Sequence, residues 1–372
     1  MKIGLLTYHR VINYGAYMQA YSLMKALEGI THSEIEIEVI DYISPNHIRR
    51  YGTILTKALC ERNIEKLKQF LAFFRAQKKL KLSRFRSFHP KFLEDKIEKS
   101  KYDVIIVGSD EVWRDFENVY WLRVVHNSKK MAYAVSSRNL NSKLRREQIR
   151  FIRENLKEFD YIGVRDEITR NELYKAYQTE ININCDPAFL VDIKFDRNSF
   201  KNKLYKKYRI PDKSRLVGIM LDERADVCKK IKEIYGDEYK LVSLYSENKK
   251  ADYNLIDISP FEWVEVIGIL DCLITSYFHG VVYAIKSNIN FVAIDYAPKE
   301  TSKIYDLLSR ENLLDQYINA YKVQEWAQCK SLHGILELSQ GMKYDYSSVV
   351  CNQKNAFWSF RKKLLTILNE NR

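Results

Sequence analysis

The sequence predicts an α/β protein of two Rossmann-like domains, and three observations carry that expectation. The 372 residues exceed one typical domain. Strand and helix periodicities alternate along the chain, stop at the Pro-containing stretch "NCDPAFLVD" (184–192), and restart near Arg215. Apolar strands such as "YDVIIVGSD" and "DCLITSYFHG" end in polar turns, the place where parallel α/β sheets bind ligands.

The elements follow in order. "KIGLLTY" reads as a strand, "AYMQAYSLMKAL" as an amphipathic helix and "EIEVIDY" as a second strand. A basic segment follows, helical in period, with Leu and Phe among its cations. After it come the strands "YDVIIVGSD", "KKMAYAVS" and "YIGVRD", the last preceded by the helical pattern "LRREQIRFIRENLKEF". Beyond the Pro-containing break, "RLVGIML", "YKLVSLY", "DCLITS" and "NFVAID" are strands with helices between. These patterns predict a first domain over 1–192 with a basic helical insert at about 49–101. They predict a second domain over 193–345 and a helical tail over 346–372. A ligand is expected in the crevice between the two domains, facing the carboxyl ends of strands.

Composition excludes several classes. Hydrophobic content of 46% supports real cores, and no apolar run approaches the roughly 18–20 residues of a spanning helix. The N-terminus alternates like a strand rather than a signal peptide. Six scattered cysteines (60, 185, 228, 272, 329, 351) without a C-x-x-C pair read as reduced thiols, so a cytoplasmic chain is expected. The net charge of +13 is uneven: residues 49–101 hold sixteen Lys/Arg against five Asp/Glu. That surplus suits an anionic membrane surface or a solvated helical face. Lys78, Lys79, Lys81, Arg84 and Arg86 form its densest run. No DNA- or RNA-binding motif accompanies it, so no nucleic acid is expected.

Four stretches place reactive groups at strand ends. In "TSYFHG", Ser276 and Tyr277 lead to His279 at a strand–helix corner, with Gly280 allowing close backbone approach. An imidazole beside helix N–H groups suits an anion, though a histidine packed at a tight turn would look the same. In "VGSDEVW", Ser109 and Asp110 follow an apolar strand. The carboxylate there can take or orient a hydroxyl proton, or cap the next helix. "GVRDE" sets Arg165 after a strand, as an anion fork or as a salt-bridge partner of Asp166 or a neighbouring helix. "RVINYGAYMQAY" enters a helix through Asn13 and Gly15, with Gln19 one turn in. Neither G-x-x-x-x-G-K-[ST] nor G-x-G-x-x-G occurs, which argues against P-loop ATPases and nicotinamide dehydrogenases.

Taken together and in order, "LTYHRVINYGAYMQAYSL", "EVIDY", "YDVIIVGSDEVW", "KKMAYAVSS", "VRDE", "CDPAFL", "ISPFEWVEVIGILDCLITSYFHGVVYAI" and "SKIYDLL" resemble the polysaccharide pyruvyl transferase family. The resemblance runs to about residue 310 and leaves out the basic segment and the tail. It implies two Rossmann-like domains in a GT-B-like arrangement. It further implies transfer of a pyruvyl group from phosphoenolpyruvate to a saccharide hydroxyl pair, in cell-surface polysaccharide biosynthesis. By the same resemblance His279 is the general acid, Arg165 the clamp on the donor's carboxylate or phosphate, and Asp110 the residue that orients or deprotonates the acceptor hydroxyl. Asn13, Gly15, Gln19, Ser109, Ser276, Tyr277 and Gly280 would line the substrate. Many relatives carry an arginine just before the Phe-His-Gly, where this chain has Ser276 and Tyr277; Arg165 or Lys303 would compensate. The implied chemistry needs no cofactor, and no residue cluster argues for a metal. The acceptor would be a saccharide that a lipid could carry, met by peripheral binding at the inner membrane face. Two other readings stand beside it: a GT-B glycosyltransferase using a nucleotide-sugar, and a non-catalytic membrane-surface adaptor.

Overall fold

The computed structural model describes residues 1–31, 35–137, 144–221, 227–321 and 344–370. Cys329 lies outside the described residues, as does the stretch 322–343 of the second predicted domain. The chain divides into two compact units. One comprises Met1–Arg62, Phe74–Val191 and Asn352–Arg372; the other comprises Asn63–Phe73 and Asp192–Cys351.

The first unit is built on β1 (Lys2–Leu6), α1 (Tyr14–Thr31), β2 (Glu36–Tyr42), α2 (Pro45–Cys60), the end of α3 (Ile64–Ala76), β3 (Leu82–Ser87) and α4 (Pro90–Ser100). It continues with β4 (Val104–Val107), β5 (Lys129–Val135), α5 (Arg146–Leu156), β6 (Tyr161–Val164), α6 (Glu167–Ala176) and β7 (Asn182–Ile183). Its seven strands pair in parallel in the order β3-β2-β1-β4-β5-β6-β7. This is the doubly wound order, whose direction of growth reverses between β1 and β4. Apart from Lys2 at the start of β1, those two strands are apolar and buried, as strands covered on both faces must be. A core of Ile105, Val107, Trp113, Trp121 and Ile152 packs beneath one face, with the Trp113 and Trp121 rings stacked at 4.4 Å. The chain's last helix, Trp358–Glu370, returns to this unit, where Phe360 packs on Tyr133 and Ser359 bonds Tyr161.

The basic segment is helical over α2, α3 and α4 but also contributes β3, which the sequence did not reveal. Its residues Ser83 and Ser87 turn inward while Arg84 and Arg86 stay exposed. Charged side chains at the open edge of a sheet discourage pairing with a second chain, and they also mask the strand's apolar period.

The second unit contains α7 (Arg197–Tyr208), β8 (Arg215–Met220), α8 (Val227–Tyr235), β9 (Tyr239–Leu244), β10 (Tyr253–Leu255) and α9 (Pro260–Ile267). It is completed by β11 (Cys272–Thr275), α10 (Phe278–Ser287), β12 (Asn290–Asp295), α11 (Lys303–Arg310) and β13 (Tyr317–Asn319). Six parallel strands run β10-β9-β8-β11-β12-β13, again reversing, here between β8 and β11. Val217, Ile219, Ile274, Val292 and Ile294 fill its core. The two sheets are therefore two Rossmann-like units with equivalent switch points.

Candidate functional site

In the first unit the switch point is the turn after β4. Gly108 has φ 125°, and a Cβ on it would lie 2.0 Å from the Tyr133 carbonyl oxygen, so only glycine fits. Gln19 ties the turn to β1: its Nε2 donates to Thr7 Oγ1 (3.0 Å), and its Oε1 accepts from Ser109 N–H (3.3 Å). Thr7 Oγ1 in turn donates to the Ser109 carbonyl (3.2 Å). Gln19 and Ser109 are fully buried, so they build the turn rather than face solvent. Gly15 is buried in the first turn of α1, and Asn13 caps that helix through Oδ1 and the Ala16 N–H (3.2 Å).

Asp110 is the partly exposed carboxylate of the turn, and its Oδ1 accepts from Glu111 N–H (2.8 Å). Arg165, at the end of β6, is buried. Its Nη1 donates to Asp186 (2.8 Å), and its Nη2 lies 3.8 Å from Asp110 Oδ1. Burial alone would lower its pKa; Asp186, Asp110 and Asp166 outweigh that and hold the guanidinium charged. Asp166, the nearest carboxylate in sequence, is instead the N-cap of α6, bonded to Thr169 N–H (2.8 Å) and Ser136 Oγ (2.6 Å). The guanidinium thus pairs with Asp186 and lies near Asp110, both carboxylates of its own chain.

Two groups near Asp110 escaped sequence reasoning. Tyr8 meets His47 of α2 edge-on at 4.7 Å, and the charge of Asp110 acts on both rings. Burial lowers the His47 pKa, Arg50 lowers it further, and Asp110 and Asp115 pull it back. His47 lies 63 positions from Asp110, at the edge of the basic segment, where no motif marks it. A second buried cluster braces the same end of the sheet. Asp41 accepts from Arg10 (2.7 Å) and Arg86 (2.8 Å) and lies 3.1 Å from His9 Nε2. Burial would raise the Asp41 pKa, but these three partners lower it well below the usual carboxylate range.

In the second unit the switch point is the corner "TSYFHG". Ser276 N–H donates to the Met220 carbonyl (2.9 Å), joining the ends of β8 and β11. Thr275 Oγ1 accepts from Tyr277 N–H (3.0 Å) and tucks under the first turn of α10. A Cβ on Gly280 would lie 2.5 Å from that oxygen, which explains the glycine one residue past the histidine. His279 is half-buried in this first turn and Tyr277 is exposed, its ring against Tyr245. Lys303 comes to the same corner: its Nζ lies 5.7 Å from the centroid of the Phe278 ring. Ser302, the N-cap of α11, holds it there by bonding Asp295 and Tyr305 N–H. The structure thus joins Ser276, Tyr277, His279, Gly280 and Lys303 at one corner, where a helix N-terminus, an imidazole and an ammonium suit an anion. It groups Gln19, Ser109, Asp110 and Arg165 at the other switch point. Among the described residues no cluster of three His, Cys, Asp or Glu side chains could hold a metal ion.

Two doubly wound sheets in one chain, each with polar groups at its switch point, define the class as a two-domain Rossmann-like α/β fold. The chain is similar to UDP-GlcNAc 2-epimerase from Neisseria meningitidis bound to UDP-GlcNAc: TM-score 0.57 and 11% identity, over 98% of this chain and 100% of that one. The UDP-GlcNAc 2-epimerase of Methanocaldococcus jannaschii gives a TM-score of 0.57 at 14% identity, covering 98% and 99%. A glycosyltransferase from Rickettsia africae gives 0.52 at 12%, covering 99% and 98%. At such identities these likenesses establish the fold alone. No curated protein matches the sequence significantly. The polysaccharide pyruvyl transferase family model matches residues 13–298, and the chain belongs to that family. Membership in this family supports a transferase. No helix among the described residues is long and apolar enough to cross a membrane.

Proposed function

We propose that the protein transfers a pyruvyl group from phosphoenolpyruvate to a saccharide, forming a ketal on a cell-surface polysaccharide precursor. The observation that carries this reading is the pairing of family membership with the α10 corner, where His279 stands beside a helix N-terminus and Lys303. In the proposed reaction His279 donates a proton to C3 of the enol, so that C2 develops positive charge. A sugar hydroxyl adds to C2 and gives its proton to Asp110. The C2–O bond to phosphate then breaks, the leaving anion being held by Lys303 and the α10 N–H groups. A second hydroxyl adds to C2 and gives its proton to the imidazole of His279, closing the ring. Arg165 orients Asp110 from 3.8 Å.

A second reading is favoured by the fold comparisons taken alone: a transferase that uses a nucleotide-sugar. Its support is the fold shared with epimerases and a glycosyltransferase. Ligand-induced stabilisation separates the two, because a ligand that binds only the native state raises the melting temperature by mass action. Phosphoenolpyruvate at millimolar concentration is expected to raise the Tm, and UDP- or GDP-sugars to leave it unchanged. The reverse pattern would replace pyruvyl transfer by glycosyl transfer.

A further inference from the structure

We infer that Arg10 and Arg86 form an anion subsite in the first unit, which takes a phosphoryl group carried by the acceptor saccharide. Both guanidiniums are held by one buried carboxylate. Arg10 donates side-on to Asp41, through Nε to Oδ1 (3.0 Å) and through Nη2 to Oδ2 (2.7 Å). Arg86, the register partner of Asp41 on β3, donates to Oδ2 through Nε (2.8 Å). His9 is fully buried against the same carboxylate, with Nε2 3.1 Å from Oδ1. Ser83 Oγ accepts from the Asp41 N–H (3.0 Å) and fixes the backbone that carries it.

A structural ion pair needs one cation for one buried carboxylate. Here two guanidiniums share one, and a positive charge is left over. Among the described residues no other Asp or Glu pairs with either of them. Each guanidinium carries five N–H donors, so Asp41 takes three of ten. Arg10 Nη1 and both Nη groups of Arg86 stay clear of it. The side chains of Arg10 and Arg86 are 14% and 49% exposed against 4% for Asp41, so solvent reaches the forks but not their anchor. Two forks on a common anchor suit an anion with three oxygens and more than one charge, which a phosphoryl group offers and a carboxylate does not.

The position ties this subsite to the acceptor. Arg10 follows β1, and Asp41 and Arg86 stand near the ends of β2 and β3, the carboxyl edge on which Asp110 follows β4. Hydrogen bonds run from one place to the other. His9 Nδ1 lies 3.0 Å from the Thr7 carbonyl, and Thr7 Oγ1 donates to the carbonyl of Ser109 (3.2 Å). The anion affinity stands on this geometry alone; its assignment to the acceptor rests on the proposed function.

Calorimetric titration of the full chain at low ionic strength, without phosphoenolpyruvate, tests the subsite. Glucose 1-phosphate is expected to bind, and glucose and glucuronate to bind at least about tenfold more weakly. Arg86→Gln should weaken glucose 1-phosphate binding about tenfold, and Arg86→Lys should fall between, because it keeps the charge without the fork. Asp41 retains Arg10 and His9 in both variants, so circular dichroism should be unchanged. In turnover, Arg86→Gln should raise the KM for a phosphorylated acceptor and leave that for phosphoenolpyruvate alone. Wild-type protein that does not bind glucose 1-phosphate would overturn the inference, as would an Arg86→Gln variant that binds it as wild type does. So would inorganic phosphate bound as tightly as glucose 1-phosphate, or phosphoenolpyruvate weakened equally by Arg86→Gln, which would give the site to the product or the donor. Arginine-dependent binding without any turnover of phosphoenolpyruvate would refute the proposed function and leave the anion site standing.

Discussion

His279→Gln is expected to lower turnover with phosphoenolpyruvate by a factor on the order of 10²–10⁴, with the fold intact. The residue occupies the first turn of α10, half-buried, where its side chain contributes to the corner rather than to the core. Glutamine keeps a hydrogen-bonding group of similar reach but cannot give up a proton. The loss should therefore fall on kcat, with little change in the KM for the donor. Circular dichroism and melting temperature report whether the fold survives. Near-normal turnover in a folded variant would remove this imidazole from the chemistry.

Arg165→Met should destabilise the first unit by about 3–5 kcal/mol, since it leaves Asp186 buried without its cation. The guanidinium is 2% exposed, with Asp186 at 2.8 Å and Asp110 at 3.8 Å. Denaturant unfolding measures that loss. Arg165→Lys keeps the charge but not the fork, and a single ammonium cannot hold two carboxylates in a fixed geometry. If Arg165 positions Asp110, the lysine variant should lose kcat and keep the donor KM. If instead it clamps the donor directly, the KM should rise while kcat holds. The buried geometry favours the first outcome.

The two Rossmann-like units were legible in the sequence because β1, β4, β8, β11 and β12 are apolar runs that end in polar turns. The corner at His279 was legible for the same reason, with Gly280 marking the close approach of Thr275. The strands β7, β10 and β13 were not, since two or three residues carry no readable period. Nor was β3, whose exposed arginines hide its alternation. The partner of Arg165 was hidden for a different reason. Sequence suggested Asp166, but the parallel register of β6 with β7, Val164 opposite Ile183, carries Asp186 to it from 21 positions away. Local pattern reads which residues stand at strand ends; only the pairing of strands tells which of them face each other.

Pyruvyl transfer is defined by its donor and by the bond that breaks in it. Wild-type protein incubated with phosphoenolpyruvate and a panel of saccharide acceptors, free and lipid-linked, should release inorganic phosphate only when an acceptor is present. The acceptor should gain the mass of one pyruvyl ketal, and His279→Gln should suppress both signals together. Acceptor modified from a UDP- or GDP-sugar, with phosphoenolpyruvate left intact under every acceptor, would contradict it.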